Sequence, residues 1–162
     1  MDETVYENLM GAALRFVSYR PRSEKELRDF CNKTLKRHHT TAPLVIEQVL
    51  ARLHELGYAD DEAFVNWWVT QRTSSTPKGK RLIVSELIFK GIAREIVGAY
   101  FSEKENIIDD YELATHAIEK KIGRWKQLPV EEQRKKLYGF LTRRGFDADI
   151  IYRIVDDVTK KE

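Results

Sequence analysis

A single cysteine, Cys31, rules out an internal disulfide and fits a reducing compartment. No apolar run approaches the ~20 residues that span a bilayer, so no membrane segment is expected. The amino terminus, Met-Asp-Glu-Thr, is acidic and has no apolar core of the kind a secretory leader carries, which points to a cytoplasmic protein. An excess of one charge is also missing. The net charge is +2 and the pI is near 8.6, below the value of about 9 that marks a typical DNA-binding domain. Strand alternation is absent too: the branched runs at Leu82–Val84 and Ile150–Ile151 fall inside helical stripes.

What is present is helical periodicity that repeats. In the stretch Gly79–Phe101, Ile83 and Leu87 lie four apart on one face, Lys90-Gly91 stops the helix, and Ile96 and Tyr100 open a second stripe. Fifty-four residues on, Leu137 and Leu141, then Arg144-Gly145, then Ile150 and Ile154 repeat the unit. A looser echo comes earlier, with Leu27 and Cys31 followed by Ile46 and Leu50. Each pair is preceded by another helix, and Val17, Val69 and Ile118 hold matching positions in those first helices.

The punctuation agrees. Pro21 ends the first helix, Ser23 and Glu26 form a capping box, Pro43 opens a helix that Gly57 closes, and Asp60–Glu62 places acids at a helix start. Thr73–Gly79 reads as a loop, Ser102–Asp110 as a polar connector, Gly123 as a point where a helix loosens, and Pro129 as a first helical residue. The tail Asp156–Glu162 is expected to fray. The chain therefore reads as all-α, with three tandem three-helix repeats at 1–58, 59–103 and 104–162 forming an elongated, curved array. Stacking of neighbours is expected to supply much of the stability.

Catalytic signals are thin. Cys31 with His38 and His39 lacks the spacing of common zinc motifs, and Cys31 shares its repeat position with Leu87 and Leu141, so it reads as a core filler. The pairs Asp60-Asp61 and Asp109-Asp110 sit where helix starts favour acids, which makes capping the better reading. Gly79-Lys80 is followed by Arg81, not by the Ser or Thr of a phosphate loop. Trp68 fits a core stripe, whereas Trp67 and Trp125 are open between packing and base stacking. No nucleophile, base and oxyanion group assemble, so no enzyme, cofactor or metal is expected.

Charge phase is more informative. Basic residues recur after each first helix, as Arg20 and Arg22, then Arg72, Lys78, Lys80 and Arg81, then Lys120, Lys121, Arg124 and Lys126. They recur at the ends of second helices, as Lys36 and Arg37, Lys90, and Arg143 and Arg144. Helix dipoles account for the second set but not for the crowding at Arg72–Arg81. Repeats stacked in one sense would line these turns into a broken basic ridge.

The segments Ala13–Leu27, Leu53–Asp61 with Phe64, Gly79–Ile92 and Leu141–Phe146 together resemble the RecX proteins, bacterial regulators of the RecA recombinase. The likeness runs from about residue 9 to 157. It implies tandem three-helix repeats and a role in recombinational DNA repair and the SOS response. A monomer would bind RecA or its nucleoprotein filament, limiting filament growth, ATPase and strand exchange. From charge phase, Arg20, Arg22, Arg72, Lys80, Arg81, Arg143 and Arg144 are the expected contacts. The rival reading is a helical DNA-binding module that acts without the recombinase, and direct contact with DNA is compatible with both.

Overall fold

The structure, a computed structural model, describes residues 2–106 and 108–160; Met1, Ile107, Lys161 and Glu162 lie outside it. The described residues form nine α-helices and no strand. In order these are α1 (Asp2–Tyr19), α2 (Glu24–Arg37), α3 (Pro43–Glu55), α4 (Asp61–Ser74), α5 (Lys80–Phe89), α6 (Arg94–Ser102), α7 (Asp110–Trp125), α8 (Val130–Arg143) and α9 (Ala148–Thr159), with a single 3₁₀ turn at Lys104–Asn106 before α7.

Boundaries depart from expectation at several places, among them α4, which takes in Thr73 and Ser74 of the expected loop. The α7 helix runs through Gly123 to Trp125, because an open glycine costs a helix only about 1 kcal/mol. Pro129 precedes α8 as its cap residue and is not its first turn. Asp156–Thr159 continue α9 where fraying was expected, held by Val155 and Val158 in the core among α7, α8 and α9; Lys161 and Glu162 of that tail lie outside the described residues.

The chain divides into two compact units, Met1–Trp67 with Ile88–Val97, and Trp68–Leu87 with Gly98–Glu162. In the first unit, α1, α2 and α3 bury Leu9, Ala13, Leu27, Cys31, Val49 and Leu53 between them. In the second, α7, α8 and α9 bury Ala114, Ile118, Leu137, Leu141, Ile151 and Ile154. Cys31 is fully buried and its thiol is pushed up to about 11 by burial, as a core filler requires.

Each unit contains one helix junction, and the two junctions use matching residues. In the first unit Ser23 Oγ donates to the Lys90 carbonyl at 2.7 Å, and the Glu24 amide donates to Asp61 Oδ1 at 2.9 Å. Gly91, at φ +84°, packs where a Cβ would overlap Lys25. In the second unit the Gly79 amide donates to the Arg144 carbonyl at 2.8 Å, and the Lys80 amide donates to Asp110 Oδ1 at 3.1 Å. Gly145, at φ +82°, packs where a Cβ would overlap Leu82. The helix-stop glycines therefore serve twice: they adopt a left-handed conformation, and they let the next backbone approach.

The acidic pairs divide their work. Asp60 and Asp109 cap their own helices, on the amides of Ala63 and of Tyr111 and Glu112. Asp61 and Asp110 instead cap α2 and α5, helices of the preceding three-helix group.

Candidate anion-binding face

The seven cations singled out by charge phase fall into different environments. Arg20 donates twice to Glu26, at 2.6 and 3.2 Å, and lies 5.7 Å from the Trp67 ring. Arg22 lies 3.8 Å over the Phe16 ring and donates to the Phe16 carbonyl. Arg72 donates to Glu86 at 2.8 Å and lies 4.1 Å over Trp68. The same Glu86 carboxylate accepts from Trp68 Nε1 at 3.0 Å and from Lys78 Nζ at 2.5 Å. Burial works against its ionisation, but these three donors outweigh it and hold its carboxyl below the usual range. The loop cations that looked most free in the sequence are thus partly neutralised by a glutamate on the facing helix.

The other four are more available. Lys80 is exposed and sits 5.0 Å from the Phe101 ring, and Arg81 is two-thirds exposed with a 3.5 Å ion pair to Asp147. Arg143 is exposed, and Arg144 is half-buried with its guanidinium 5.2 Å from the Phe140 ring.

Arg144 joins residues that charge phase noted but did not select. Between α7, α8 and Ser75–Thr76 lies a cleft of about 350 Å³ lined by Lys120, Lys121, Arg124, Arg144, Trp125 and Phe140. Lys121 Nζ is 5.7 Å from the Phe140 ring, and Trp125 meets Phe140 edge-on with centroids 5.5 Å apart. Helical spacing produces the arrangement. Lys121 and Arg124 lie three apart on α7, and Phe140 and Arg144 lie four apart on α8 and its cap, so both pairs line one groove.

The turn between α7 and α8 is fixed from inside by Gln133, which is 2% exposed and donates to the carbonyls of Leu128 at 2.8 Å and Lys126 at 3.4 Å. Its polar type inside an apolar stripe was the only hint the sequence offered.

Lys120–Arg144 carries nine Lys or Arg against two Glu, a surplus of seven in a chain whose net charge is only +2. Among the described residues none of these nine cations forms an ion pair. At one end of the cleft His116 and Glu119 stand 3.9 Å apart. A larger neighbouring cleft, about 840 Å³, presents Asp109, Glu112 and Glu119. Among the described residues no group of three His, Cys, Asp or Glu is placed to hold a metal ion, and no helix is long and apolar enough to cross a membrane.

Two family models match the chain: "RecX, second three-helix domain" over residues 60–99, and "RecX, third three-helix domain" over residues 108–155. The regulatory protein RecX of Chlorobium phaeobacteroides (strain BS1) is 31% identical over 160 residues, covering 98% of both chains. That of Bacillus subtilis (strain 168) is 31% identical over 146 residues, 90% of this chain but 53% of the relative. That of Listeria innocua serovar 6a is 28% identical over 87% of this chain and 50% of the relative. The chain thus spans about half the length of the Bacillus and Listeria relatives. Among solved structures, RecX from Lactobacillus salivarius superposes with a TM-score of 0.73 at 23% identity, covering 96% of this chain and 97% of that one. That likeness, with the two domain models, makes the fold a helical repeat array.

Proposed function

The chain belongs to the RecX family, and on that premise we propose that it is a non-catalytic regulator that binds the RecA recombinase or its nucleoprotein filament. Binding limits filament growth, ATPase activity and strand exchange in recombinational DNA repair under the SOS response. One observation carries the reading: 31% identity to a regulatory protein RecX over nearly the full length of both chains. The modules 1–58, 59–103 and 104–162, a monomeric state and a cytoplasmic location belong to the same proposal.

Lys80, Arg81, Arg143 and Arg144 are the cations offered to the partner. Arg20, Arg22 and Arg72 add to the field while held by Glu26, Phe16 and Glu86. Exposed ion pairs contribute about 0.2–1 kcal/mol each, so several must act together.

The test is the DNA-dependent ATPase rate of the cognate RecA with this protein titrated in at fixed moderate salt. A fall at substoichiometric amounts, weakened in a Lys80→Glu/Arg81→Glu variant, is the expected result. An unchanged rate across the titration overturns the reading and favours the helical module that acts on DNA alone.

A further inference from the structure

Four hydroxyl residues, Thr73 to Thr76, follow one another where α4 ends, and the structure sorts them into two pairs. Thr73 and Ser74 finish the helix, their hydroxyls donating to the carbonyls of Val69 at 2.9 Å and Gln71 at 3.2 Å. Ser75 and Thr76 are exposed, and among the described residues their hydroxyls make no hydrogen bond. The chain beyond them is fixed again: Pro77 is buried, Lys78 Nζ donates to Glu86, and the Gly79 amide donates to the Arg144 carbonyl at 2.8 Å. Two unbonded hydroxyls are thus held between two anchors, and both line the cleft of about 350 Å³ between α7 and α8.

Ser and Thr are common in loops, so composition alone decides nothing. What decides is the charge these two face. Lys120, Lys121, Arg124 and Arg144 line the cleft against one carboxylate, Glu119, with His116 beside it. The other cation clusters of the chain, around Glu26 and Glu86, each enclose a carboxylate that takes up their charge. In the cleft the groups able to acquire negative charge are the two hydroxyls.

We infer that Ser75 and Thr76 are phosphoacceptors, and that a phosphate on either one docks into the α7–α8 cleft. The donor is a nucleoside triphosphate bound to a Ser/Thr protein kinase. The hydroxyl oxygen bonds to the γ-phosphorus, the bond from that phosphorus to the β–γ bridging oxygen breaks, the nucleoside diphosphate leaves, and the hydroxyl proton passes to a base of the kinase. The phosphate brings a charge of about −1.5 to −2 at pH 7 and three acceptor oxygens, enough to engage Lys121, Arg124 and Arg144 together. Docking ties the loop before α5 to α7 and α8 and withdraws these cations from any acidic partner. The inference rests on the second unit alone and is independent of the filament reading.

The experiment has two arms. Trypsin cuts after Arg72 and Lys78, so mass spectrometry of the protein from its own cells, growing and starved, reads residues 73–78 as one peptide. A phosphate on Ser75 or Thr76 is the expected result. Unmodified peptide in both states, or phosphate confined to Thr73 or Ser74, overturns the assignment.

In the second arm phosphoserine is incorporated at position 75 of the full chain and followed by phosphorus NMR over pH. A His116→Gln background is used, because a histidine titrates in the same range as the phosphate. Cations favour the dianion, so the second phosphate pKa is expected to fall from about 6 to about 5. Lys121→Glu/Arg124→Glu is expected to return it to about 6 or above. Lys135→Glu/Lys136→Glu, the same charge change on α8 outside the cleft, is expected to leave it within about 0.3 of the shifted value. A phosphate that titrates near its free value in the parent chain, or alike in the two charge-reversal variants, overturns the docking. Circular dichroism and melting curves separate a lost site from a lost fold, and Lys121→Gln/Arg124→Gln takes the place of the charge reversal if that variant unfolds.

Discussion

Glu26 accepts hydrogen bonds from Arg20 at 2.6 Å, Lys90 at 2.9 Å and the Ser23 amide at 3.1 Å, with only 15% of its side chain exposed. Burial opposes its ionisation, but the Arg20, Lys90 and Ser23 donors outweigh it and bring the carboxyl from 4.5 to about 2. A folded pKa below the unfolded one means stability that is fully present above about pH 4.5 and is lost as pH falls toward 2. Glu26→Gln is therefore expected to cost about 2 kcal/mol at pH 7 in urea unfolding, with the difference from the parent chain closing by pH 2. A constant difference from pH 7 to pH 2 would mean the carboxylate charge contributes nothing. Gly145 makes a steric demand instead of an electrostatic one. Its φ of +82° and the Leu82 side chain against its α-carbon leave no room for a Cβ, so Gly145→Val is expected to cost more than about 2 kcal/mol. Gly98 has no neighbour within reach of a Cβ and no positive φ, so Gly98→Ala, inside α6, is expected to be neutral or stabilising by up to about 1 kcal/mol.

Between helices, most of what the sequence disclosed was local. Leu27 with Cys31, Ile83 with Leu87, and Leu137 with Leu141 lie on buried faces, because four-residue spacing is a property of the helix alone. The Ser23–Glu26 capping box was legible for the same reason. The stripe of α6 was less so: Val97 is buried while Ile96 and Tyr100 are half-buried, because the rotation of a short helix is set by its neighbours. The pairing of Glu86 with Arg72 and Lys78 was invisible, since it depends on which faces α4 and α5 turn to each other. The gathering of Lys120, Lys121 and Arg124 with Arg144 was hidden in the same way. The acidic pairs were half legible as caps; that Asp61 and Asp110 cap another helix required the junction itself. That second role is testable on Asp110. Burial raises its carboxyl above the usual range despite the bond from the Lys80 amide, so its charged form is penalised in the folded state. Stability from this group therefore falls as pH rises through the carboxylate range. Asp110→Ala is expected to cost about 1 kcal/mol at pH 7, whereas Asp110→Asn, which keeps an acceptor without the charge, is expected to cost less. Equal losses for the two would assign the effect to something other than the cap.

At the scale of the whole chain, the two junctions form a repeating rule: the start of one group's second helix is capped by the next group's aspartate and crossed by its helix-stop glycine. Arrays of this kind derive stability from units plus nearest-neighbour terms, so damage at one junction acts first on the groups it joins. Each junction here lies within a single compact unit. Gly145→Val is accordingly expected to accelerate amide hydrogen exchange in α8 and α9 while the slowest-exchanging amides of α1 to α3 keep their protection, and Gly91→Val to do the reverse. Replacing the glycine at both positions should give losses that add to within about 0.5 kcal/mol if the units respond independently. Exchange that rises uniformly along the chain in either single variant would show that the repeats unfold as one cooperative body, and that the matching junctions do not partition its stability.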